Sequence, residues 1–217
     1  MSESESINTY KYMESYAPFN LYHLQRIEET IDKALATHAR ITALRIDLHA
    51  PLLDPDNMKY DEVIFADTDS YVISRFIASL KAKIKACIKA KKKAGIRVHE
   101  TTVHFVWVRE FTSDSSRKHY HVLLLLNKDT FNYVGNFNED KGTLLTFIHQ
   151  AWMSALRLNY PDYRHLVHFP RKGCFYVYAK DGKSGEVYKN LIYASSYMAK
   201  VKTKFHGDNE RNFGCSQ

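Results

Sequence analysis

Two histidines separated by one residue, His119 and His121, have the type and spacing that metal-assisted chemistry requires. On a β-strand, side chains two positions apart point to the same face of the sheet, so these two imidazoles would lie side by side. Neutral imidazole nitrogens in that arrangement bind a single divalent ion. Because the chain contains 11 histidines, a His-x-His sequence also arises by chance, and a pair that binds no metal remains the alternative.

An acidic residue that would complete the site is expected on the preceding strand. Glu110 lies at the end of that strand, and the polar turn at 112–117 would bring its carboxylate close to the histidines. Two imidazoles and one carboxylate form a metal-binding face, with Asp114 in the turn as the substitute acid. A solvated strand end is the alternative for Glu110. Oxygen ligands from the acid and from a phosphate favour one Mg²⁺ or Mn²⁺ ion.

Two tyrosines and a lysine near the C-terminus form a second group. Tyr193 and Tyr197 are four residues apart, so on a helix both hydroxyls would share one face, and Lys200 follows one turn later. A phenol has a pKa near 10 and attacks a phosphate poorly unless a metal ion and a nearby ammonium assist it. Core aromatic residues on an amphipathic helix are the alternative interpretation.

The two groups together predict more than either predicts alone. A metal ion held by the histidines would polarise a phosphate of single-stranded DNA, and a tyrosine would attack that phosphate in line. The tyrosine would stay attached to the 5′ phosphate and release a 3′-hydroxyl, while the lysine stabilises negative charge or holds the tyrosine in place. The sequence therefore predicts an enzyme that cuts single-stranded DNA.

Basic and aromatic residues elsewhere in the chain are candidates for contacts with DNA. Six basic residues could hold phosphates: Arg109, Arg117 and Lys118 beside the proposed metal face, and Lys89, Lys92 and Lys93 on a long helix. The helix lysines are equally consistent with a solvated face. The tyrosines of the N-terminal arm would either stack on unpaired bases or pack against the domain.

Hydrophobic periodicity predicts the elements that position these residues. Four helices are expected: at 20–38 with Asn20 as the cap, at 69–95, at 143–158, and from a Ser184 cap through the two tyrosines. Strands are expected at 41–49, at 98–110, at 118–126, and in the interval 165–180 as one hairpin or two edge strands.

The fold class follows from the order of these elements. Strands joined by a short turn are antiparallel, and the five consecutive apolar residues at 122–126 predict a central strand covered on both faces. An α+β fold is therefore expected, with an arm at 1–20 and one domain at 21–217.

The composition of the 217-residue chain excludes several classes of protein. A hydrophobic fraction of 45% with 13% aromatic residues excludes wholesale disorder, and a net charge of +7 favours an anionic partner. The sequence has no apolar run near the roughly 20 residues of a membrane helix, no signal-peptide pattern and no CxxC pair, so a reducing cytoplasm and no membrane partner are expected. The absence of GxGxxG, P-loop and GxSxG motifs argues against nucleotide-dependent motors and α/β-hydrolases.

Several blocks of the sequence resemble the HUH superfamily of rolling-circle replication initiators and relaxases. Residues 119–121 resemble its HUH motif, residues 197–200 its YxxK motif, and residues 42–51 the motif on its first strand. More narrowly, the chain resembles the inovirus replication-protein-like family, also called the YagK/YfjJ C-terminal domain family, over residues 20–217. The blocks that carry this narrower resemblance are residues 106–111, 119–129, 166–170, 193–200 and 211–216.

This resemblance implies a fold and an activity. The implied fold is an antiparallel sheet with the histidine strand central, helices packed on it, and the tyrosine helix near the C-terminus. The implied activity is site-specific nicking and joining that starts rolling-circle replication of a phage or mobile element through a 5′-phosphotyrosine. Ser196 replaces the first lysine of the YxxKYxxK pattern in two-tyrosine initiators, so Tyr197 with Lys200 is the expected nucleophile and Tyr193 is secondary.

The partners and the main alternative are also implied. The expected partners are single-stranded or hairpin DNA and a host helicase, because the sequence has no helicase motif. The alternative is a catalytically silent DNA-binding regulator, or a defence or mobile-element module, that keeps the same fold.

Overall fold

The computed structural model describes residues 10–51, 66–112, 117–135, 142–202, 204 and 207–217. Within these residues the chain forms four α-helices: α1 (Leu21–Thr37), α2 (Val72–Lys93), α3 (Leu144–Leu156) and α4 (Glu186–Ser196). The strands are β1 (Arg40–His49), β2 (His104–Phe111), β3 (Lys118–Asn127), β4 (Val167–His168), β5 (Cys174–Tyr178) and β6 (Phe213–Cys215). None of the described helices combines the length and apolar composition that a membrane span requires.

The described strands form one antiparallel sheet in which β3 lies between β1 and β2. β4 and β5 both pair with the other side of β1, and β6 pairs with the other side of β2. Residues 122–126 of β3 are all buried because helices cover both faces of the sheet. The α+β class and the central position of the histidine strand are therefore confirmed.

Side chains alternate across the sheet and divide the core into two parts. Val122 and Leu124 pack with the apolar residues of α2 and α3 on one face. Leu123 packs with those of α1 and α4 on the other face. Because the alternation has a period of two, His119 and His121 lie on the same face as Leu123. We call the two faces the α2–α3 face and the α1–α4 face.

Local capping accounts for several helix boundaries. Asn20 caps α1 by accepting a hydrogen bond from the backbone N–H of His23, as predicted. Thr143 caps α3 by accepting one from the backbone N–H of Thr146. Gly95, with a φ of 73°, turns the chain just after the end of α2, a conformation that glycine adopts without strain.

Other boundaries differ from the predicted ones. β2 begins at His104 rather than at residue 98, and the predicted cap at Ser184 is wrong because Gly185 directly precedes α4. The interval 165–180 forms two short edge strands, one of the two predicted options. The tail contributes β6, for which no strand was expected.

Candidate metal and nucleophile site

The two histidines lie next to each other on the α1–α4 face of β3. Their ring centroids are 5.0 Å apart, with the ring planes at 86°. Glu110 is directly opposite His119 in the antiparallel pairing of β2 with β3. The same-face geometry of the histidines and the approach of Glu110 across the hairpin are both observed.

The nitrogen and oxygen atoms of these residues fit one divalent ion. Oε2 of Glu110 lies 3.5 Å from Nε2 of His121 and 4.0 Å from Nε2 of His119. One ligand atom from each of the three residues lies within 4.8 Å of the other two. Nε2 of His121 is buried without a hydrogen-bond partner among the described residues, and a bound ion would satisfy it. Asp114, the substitute acid, lies outside the described residues.

Glu110 carries its charge in a buried position, with only 1% of its surface exposed. Burial alone would raise its pKa, but interactions with His121 and Lys200 lower the pKa to about 2. Nζ of Lys200 lies 2.7 Å from Oε2, and Nζ of Lys204 lies 3.5 Å from Oε1. Each carboxylate oxygen therefore faces an ammonium. The sequence analysis missed Lys204, because its contact depends on how the tail packs.

Asp47 on β1 holds His121 from the side opposite Glu110. Its Oδ1 lies 2.5 Å from Nδ1 of His121, and its Oδ2 lies 3.3 Å from Nδ1 of His168. Burial would raise the pKa of Asp47, but the hydrogen bond with His121 lowers it to about 2. A carboxylate on Nδ1 fixes the ring and leaves Nε2 for a metal ion. The signal that could have found Asp47 is an acid among alternating apolar residues of a predicted strand.

The two histidines have opposite protonation tendencies. Burial lowers the pKa of His119, which favours the neutral imidazole that binds metal. Burial acts in the same direction on His121, but the hydrogen bond with Asp47 and the nearby carboxylate of Glu110, 3.5 Å from Nε2, raise its pKa above the usual value. The two carboxylates therefore favour the protonated form of His121, and an ion that binds at Nε2 would compete with a proton there.

Tyr197 begins a 3₁₀ turn, Tyr197–Ala199, that directly follows α4, and its ring contacts His121. The two ring centroids are 5.0 Å apart, with the planes at 82°. Nζ of Lys200 lies 3.7 Å from the centroid of the Tyr197 ring, and Cζ of Arg45 lies 5.3 Å from it. Because Lys200 contacts both Tyr197 and Glu110, the expected nucleophile, the lysine and the metal ligands form one cluster.

Tyr193 is placed differently from Tyr197. It is 43% exposed and lines a surface groove with Tyr10 and Lys189. The α-helix ends at Ser196, and the chain tightens into the 3₁₀ turn at Tyr197. Tyr193 is therefore exposed to solvent, whereas Tyr197 contacts His121.

Arg109 is not available to a DNA phosphate in this structure, and its expected role is revised. Its side chain is 1% exposed and lies on the α2–α3 face, across the sheet from the histidines. Its guanidinium donates hydrogen bonds to Asp208 and Glu210 at 2.6 Å and to Asn212 at 3.1 Å. Arg109 therefore fixes the C-terminal tail to β2.

The other two basic residues of the hairpin, Lys118 and Arg117, lie in different places relative to the histidines. Lys118 shares the α2–α3 face with Arg109, and its Nζ lies 3.0 Å from Glu210, so it also holds the tail. Arg117 donates to the carbonyl of Ala50 at 2.6 Å. It lies close to the site, where burial and then its charge lower the pKa of His49 to about 4. Of these residues, Arg117 is the one that the structure places beside the histidines.

The lysines of α2 lie far from the histidines in the architecture of the fold. Lys89, Lys92 and Lys93 are exposed, and Lys92 forms an ion pair with Glu100. α2 packs on the α2–α3 face, so the whole sheet separates these lysines from His119 and His121. A DNA strand bound at the histidines would reach the lysines of α2 only by passing around an edge of the sheet.

The described part of the N-terminal arm, residues 10–20, packs against the segment that carries Tyr197. The Tyr16 ring meets the Tyr197 ring edge-on, with centroids 4.7 Å apart. Phe19 forms a β-bridge with Lys200, and the backbone N–H of Met13 donates to Ser196 Oγ at 3.1 Å. Of the two options for the arm, packing on the domain is the one observed.

Two Escherichia coli proteins are similar to the chain over most of its length. It is 38% identical over 195 residues to the uncharacterized protein YfjJ of strain K12, covering 88% of this chain and 92% of YfjJ. It is 34% identical over 212 residues to the uncharacterized protein YagK of the same strain, covering 94% of this chain and 99% of YagK. No solved structure matches the chain significantly. The profile of one family matches residues 2–216, and the chain belongs to that family, the YagK/YfjJ C-terminal domain family.

Proposed function

We propose that this protein is a metal-dependent enzyme of the HUH type that nicks and rejoins single-stranded DNA and starts rolling-circle replication of a phage or mobile element. The observation that supports this most is the position of the Tyr197 ring, 5.0 Å from the ring of His121. Lys200 contacts both that tyrosine and Glu110. A tyrosine beside metal ligands, with an ammonium at hand, is the arrangement that transesterification of a phosphodiester needs.

The residues of the chain supply the nucleophile and most of the charge in this proposal. Oη of Tyr197 forms a bond to phosphorus, the bond from phosphorus to the 3′ oxygen breaks, and the proton lost by the phenol is balanced by the one that the 3′ oxygen gains. Lys200 and Arg45 lie at the Tyr197 ring, where their charges would stabilise the extra negative charge of the transition state. A divalent ion held by His119, His121 and Glu110 would supply Lewis-acid polarisation of the phosphate.

Mg²⁺ or Mn²⁺ is the ion that this chemistry favours. Glu110 and the phosphate of DNA offer hard oxygen ligands, which both ions accept. The two imidazoles also suit Zn²⁺ and Ni²⁺, which bind nitrogen ligands more tightly than Mn²⁺ does. We further propose that the enzyme works in the cytoplasm on single-stranded or hairpin DNA that a host helicase exposes.

A second function is favoured by the ion pairs of Glu110. Both oxygens of this carboxylate face lysine ammonium groups, Lys200 at 2.7 Å and Lys204 at 3.5 Å. The charge of the acid is therefore balanced without a metal ion. This observation favours a protein that binds DNA without cutting it, which would act as a regulator or as a module of a defence system or mobile element.

Covalent capture of DNA separates the two functions. The protein is incubated with Mn²⁺ and a pool of single-stranded oligonucleotides labelled at the 3′ end, and the products are run on a denaturing gel. A nicking enzyme that attaches to the 5′ phosphate gives a labelled protein band, whereas the same pool labelled at the 5′ end gives a shortened free strand. Chelation with EDTA removes both products.

Matched variants identify the attacking oxygen. Tyr197→Phe keeps the ring and its packing but lacks the oxygen, so it loses the covalent band and keeps DNA binding. Tyr193→Phe, at the exposed tyrosine, retains at least one round of cleavage. A covalent band in Tyr197→Phe would exclude Tyr197 as the nucleophile, and binding without any band in the wild-type protein would favour the silent regulator.

A further inference from the structure

A groove of about 480 Å³ opens on the α1–α4 side of the molecule, between the start of α1 and the C-terminal tail. Its volume is within the range of about 300–1,000 Å³ that is typical of small-molecule pockets. The residues that matter for its chemistry are Tyr22, His23, Arg26, Lys204, Arg211 and Phe213. We call this feature the α1–tail groove.

The α1–tail groove is lined by aromatic rings. The rings of His23 and Phe213 are stacked, with centroids 4.1 Å apart and planes at 9°. Tyr22 lies beside them, with its ring centroid 6.4 Å from that of Phe213, and is 63% exposed. Three neighbouring rings, one of them largely open to solvent, offer a surface on which an unpaired base can stack.

The charge of the groove suits an anion. Three basic side chains line it, those of Arg26, Lys204 and Arg211, against one acid, Glu210. Arg26 is paired with Glu29 and Lys204 with Glu110, so Arg211 is the cation that the described residues leave for a ligand. Glu210 is already paired with Arg109 and Lys118 on the other side of the tail. A ligand that carries a flat ring and a negative charge matches this combination, and a nucleotide has both.

The groove adjoins the metal and nucleophile site. Lys204 lines the groove, and its Nζ also lies 3.5 Å from Oε1 of Glu110 and 3.1 Å from the carbonyl oxygen of Met198. Val201, which directly follows Lys200, is another lining residue. A DNA strand with one phosphate at Tyr197 would therefore have a neighbouring nucleotide within reach of the groove.

We propose that the α1–tail groove binds one unpaired nucleotide of single-stranded DNA next to the phosphate that is cut, with its base stacked among Tyr22 and Phe213 and its phosphate near Arg211. This inference rests on the proposed function for the identity of the ligand as DNA. Duplex DNA does not fit, because its bases are stacked on one another and offer no free face to these rings. The groove would give the enzyme a preference for one base beside the cut.

Photo-crosslinking tests the inference independently of cleavage. Tyr197→Phe protein is mixed with a random single-stranded oligonucleotide pool that contains 4-thiothymidine, irradiated, digested and analysed by mass spectrometry. We expect crosslinks on Tyr22, His23 or Phe213. Tyr71 is the matched control, because it is an equally exposed tyrosine, at 69%, at the start of α2 on the opposite side of the sheet. Crosslinks at Tyr71 but not at the groove would overturn the inference.

Binding measurements with exposed variants provide the second arm. In the Tyr197→Phe protein, the additional substitutions Tyr22→Ala and Arg211→Ala should each weaken binding of the single-stranded pool about tenfold. Loss of a stacked base or of a phosphate contact has an effect of this size. Tyr71→Ala, on the opposite side of the sheet, should leave binding unchanged. Unchanged binding in Tyr22→Ala, or equal binding of a duplex of the same length, would overturn the inference.

The outcomes separate this inference from the proposed function. If wild-type protein forms the covalent band but the groove variants bind normally and crosslinks lie elsewhere, the groove inference fails and nicking stands. If the groove is crosslinked and Tyr22→Ala weakens binding while no covalent band forms, the groove inference stands and nicking fails. Failure of the protein to bind any single-stranded DNA would overturn both.

Discussion

At the scale of single residues, the buried charges around Glu110 depend on one another. Its carboxylate lies between the ammonium groups of Lys200 and Lys204, with exposures of 7% and 3% for the two lysine side chains. The Coulomb attraction within such a group offsets the cost of removing each charge from water only while all members are present. Loss of the carboxylate would leave two ammonium groups buried without their counter-charge.

Glu110→Gln should therefore lower the free energy of unfolding by about 3 kcal/mol in the absence of metal, the usual effect of removing one partner from a buried ion pair. Urea unfolding in EDTA measures this. Glu100→Gln is the control, because Glu100 forms an exposed pair with Lys92 and its loss should change stability by less than about 1 kcal/mol. Equal effects of the two substitutions would contradict the prediction.

Asp47 allows a second prediction at this scale. Its hydrogen bond to Nδ1 of His121 orients the ring for a metal ion, so Asp47→Asn should weaken Mn²⁺ binding about 10–100-fold, the usual effect of losing such a partner. Isothermal titration calorimetry measures the affinity. Asp129→Asn, which removes a surface pair with Arg40, should leave the affinity unchanged. An unaltered affinity in Asp47→Asn would show that the bond does not position His121.

At the scale of secondary-structure elements, the attachment of the tail to β2 decides what surrounds the site. Arg109 holds Asp208, Glu210 and Asn212 on the α2–α3 side of β2, and β6 continues that sheet edge. Lys204, just before this segment, contacts Glu110 on the opposite face. The tail therefore wraps the edge of the sheet and contributes to both faces.

The attachment of the tail should be sensitive to acid. The hydrogen bond from Arg109 lowers the pKa of Asp208 to about 2, compared with about 3.9 in an unfolded chain. A lowered pKa contributes stability that is fully present above about pH 4 and is lost as the pH falls through about 2. The difference in unfolding free energy between wild-type protein and Asp208→Asn should therefore shrink between pH 4 and pH 2. A difference that stays constant over this window in urea titrations would refute the attachment.

The sequence predicted those elements whose signals are local. α1 and α3 have amphipathic periodicity and a capping side chain, and residues 122–126 of β3 form a continuous apolar run, so each is visible within a short window. β6 was missed because it has three residues and exists only through pairing with β2, about a hundred residues earlier. Gly214 in β6 is required by that pairing, since a Cβ there would lie 2.6 Å from the Trp107 ring.

As with the secondary-structure elements, the parts of the candidate site that depend on local sequence were predictable, and the parts that depend on contacts between distant segments were not. The spacing of His119 and His121 and the hairpin that brings Glu110 to them follow from short-range rules. Lys204 joins the site through packing between distant segments, which no short window of sequence contains. The strand pattern around Asp47 marks it as an unusual acid, but its place beside His121 depends on the pairing of β1 with β3. Arg109 was misassigned because the sequence does not show which face of β2 its neighbours from the tail would cover.

At the scale of the whole molecule, the sheet separates two chemically different surfaces. The candidate metal ligands and Tyr197 lie on the α1–α4 face, and the lysines of α2 lie on the other. A short oligonucleotide bound at Tyr197 should not contact both surfaces. The lysines of α2 would act only on long DNA or on a different partner.

The triple substitution of Lys89, Lys92 and Lys93 by alanine should therefore leave covalent capture of a 12-nucleotide strand unchanged. If these lysines contact long single-stranded DNA, the same protein should show a salt slope smaller by about 2 for that DNA, at about 0.7 per lost phosphate contact. Fluorescence anisotropy at several salt concentrations measures both. Weaker capture of the short strand would mean that α2 forms part of the path to the nucleophile.

The packing of the N-terminal arm against the Tyr197 turn has a consequence for protein synthesis. The three candidate metal ligands lie between residues 110 and 121, near the middle of the chain, on two strands that pair with each other. Tyr197 and the residues that the arm contacts, Ser196 and Lys200, leave the ribosome about 75 residues after His121. The arm is therefore synthesised long before the segment that it packs against. A message cut short before Tyr197 would encode a fragment that keeps the metal ligands and lacks the attacking oxygen. If such a fragment folds, it should bind a divalent ion through the three candidate ligands and, on the proposed function, form no covalent band with DNA.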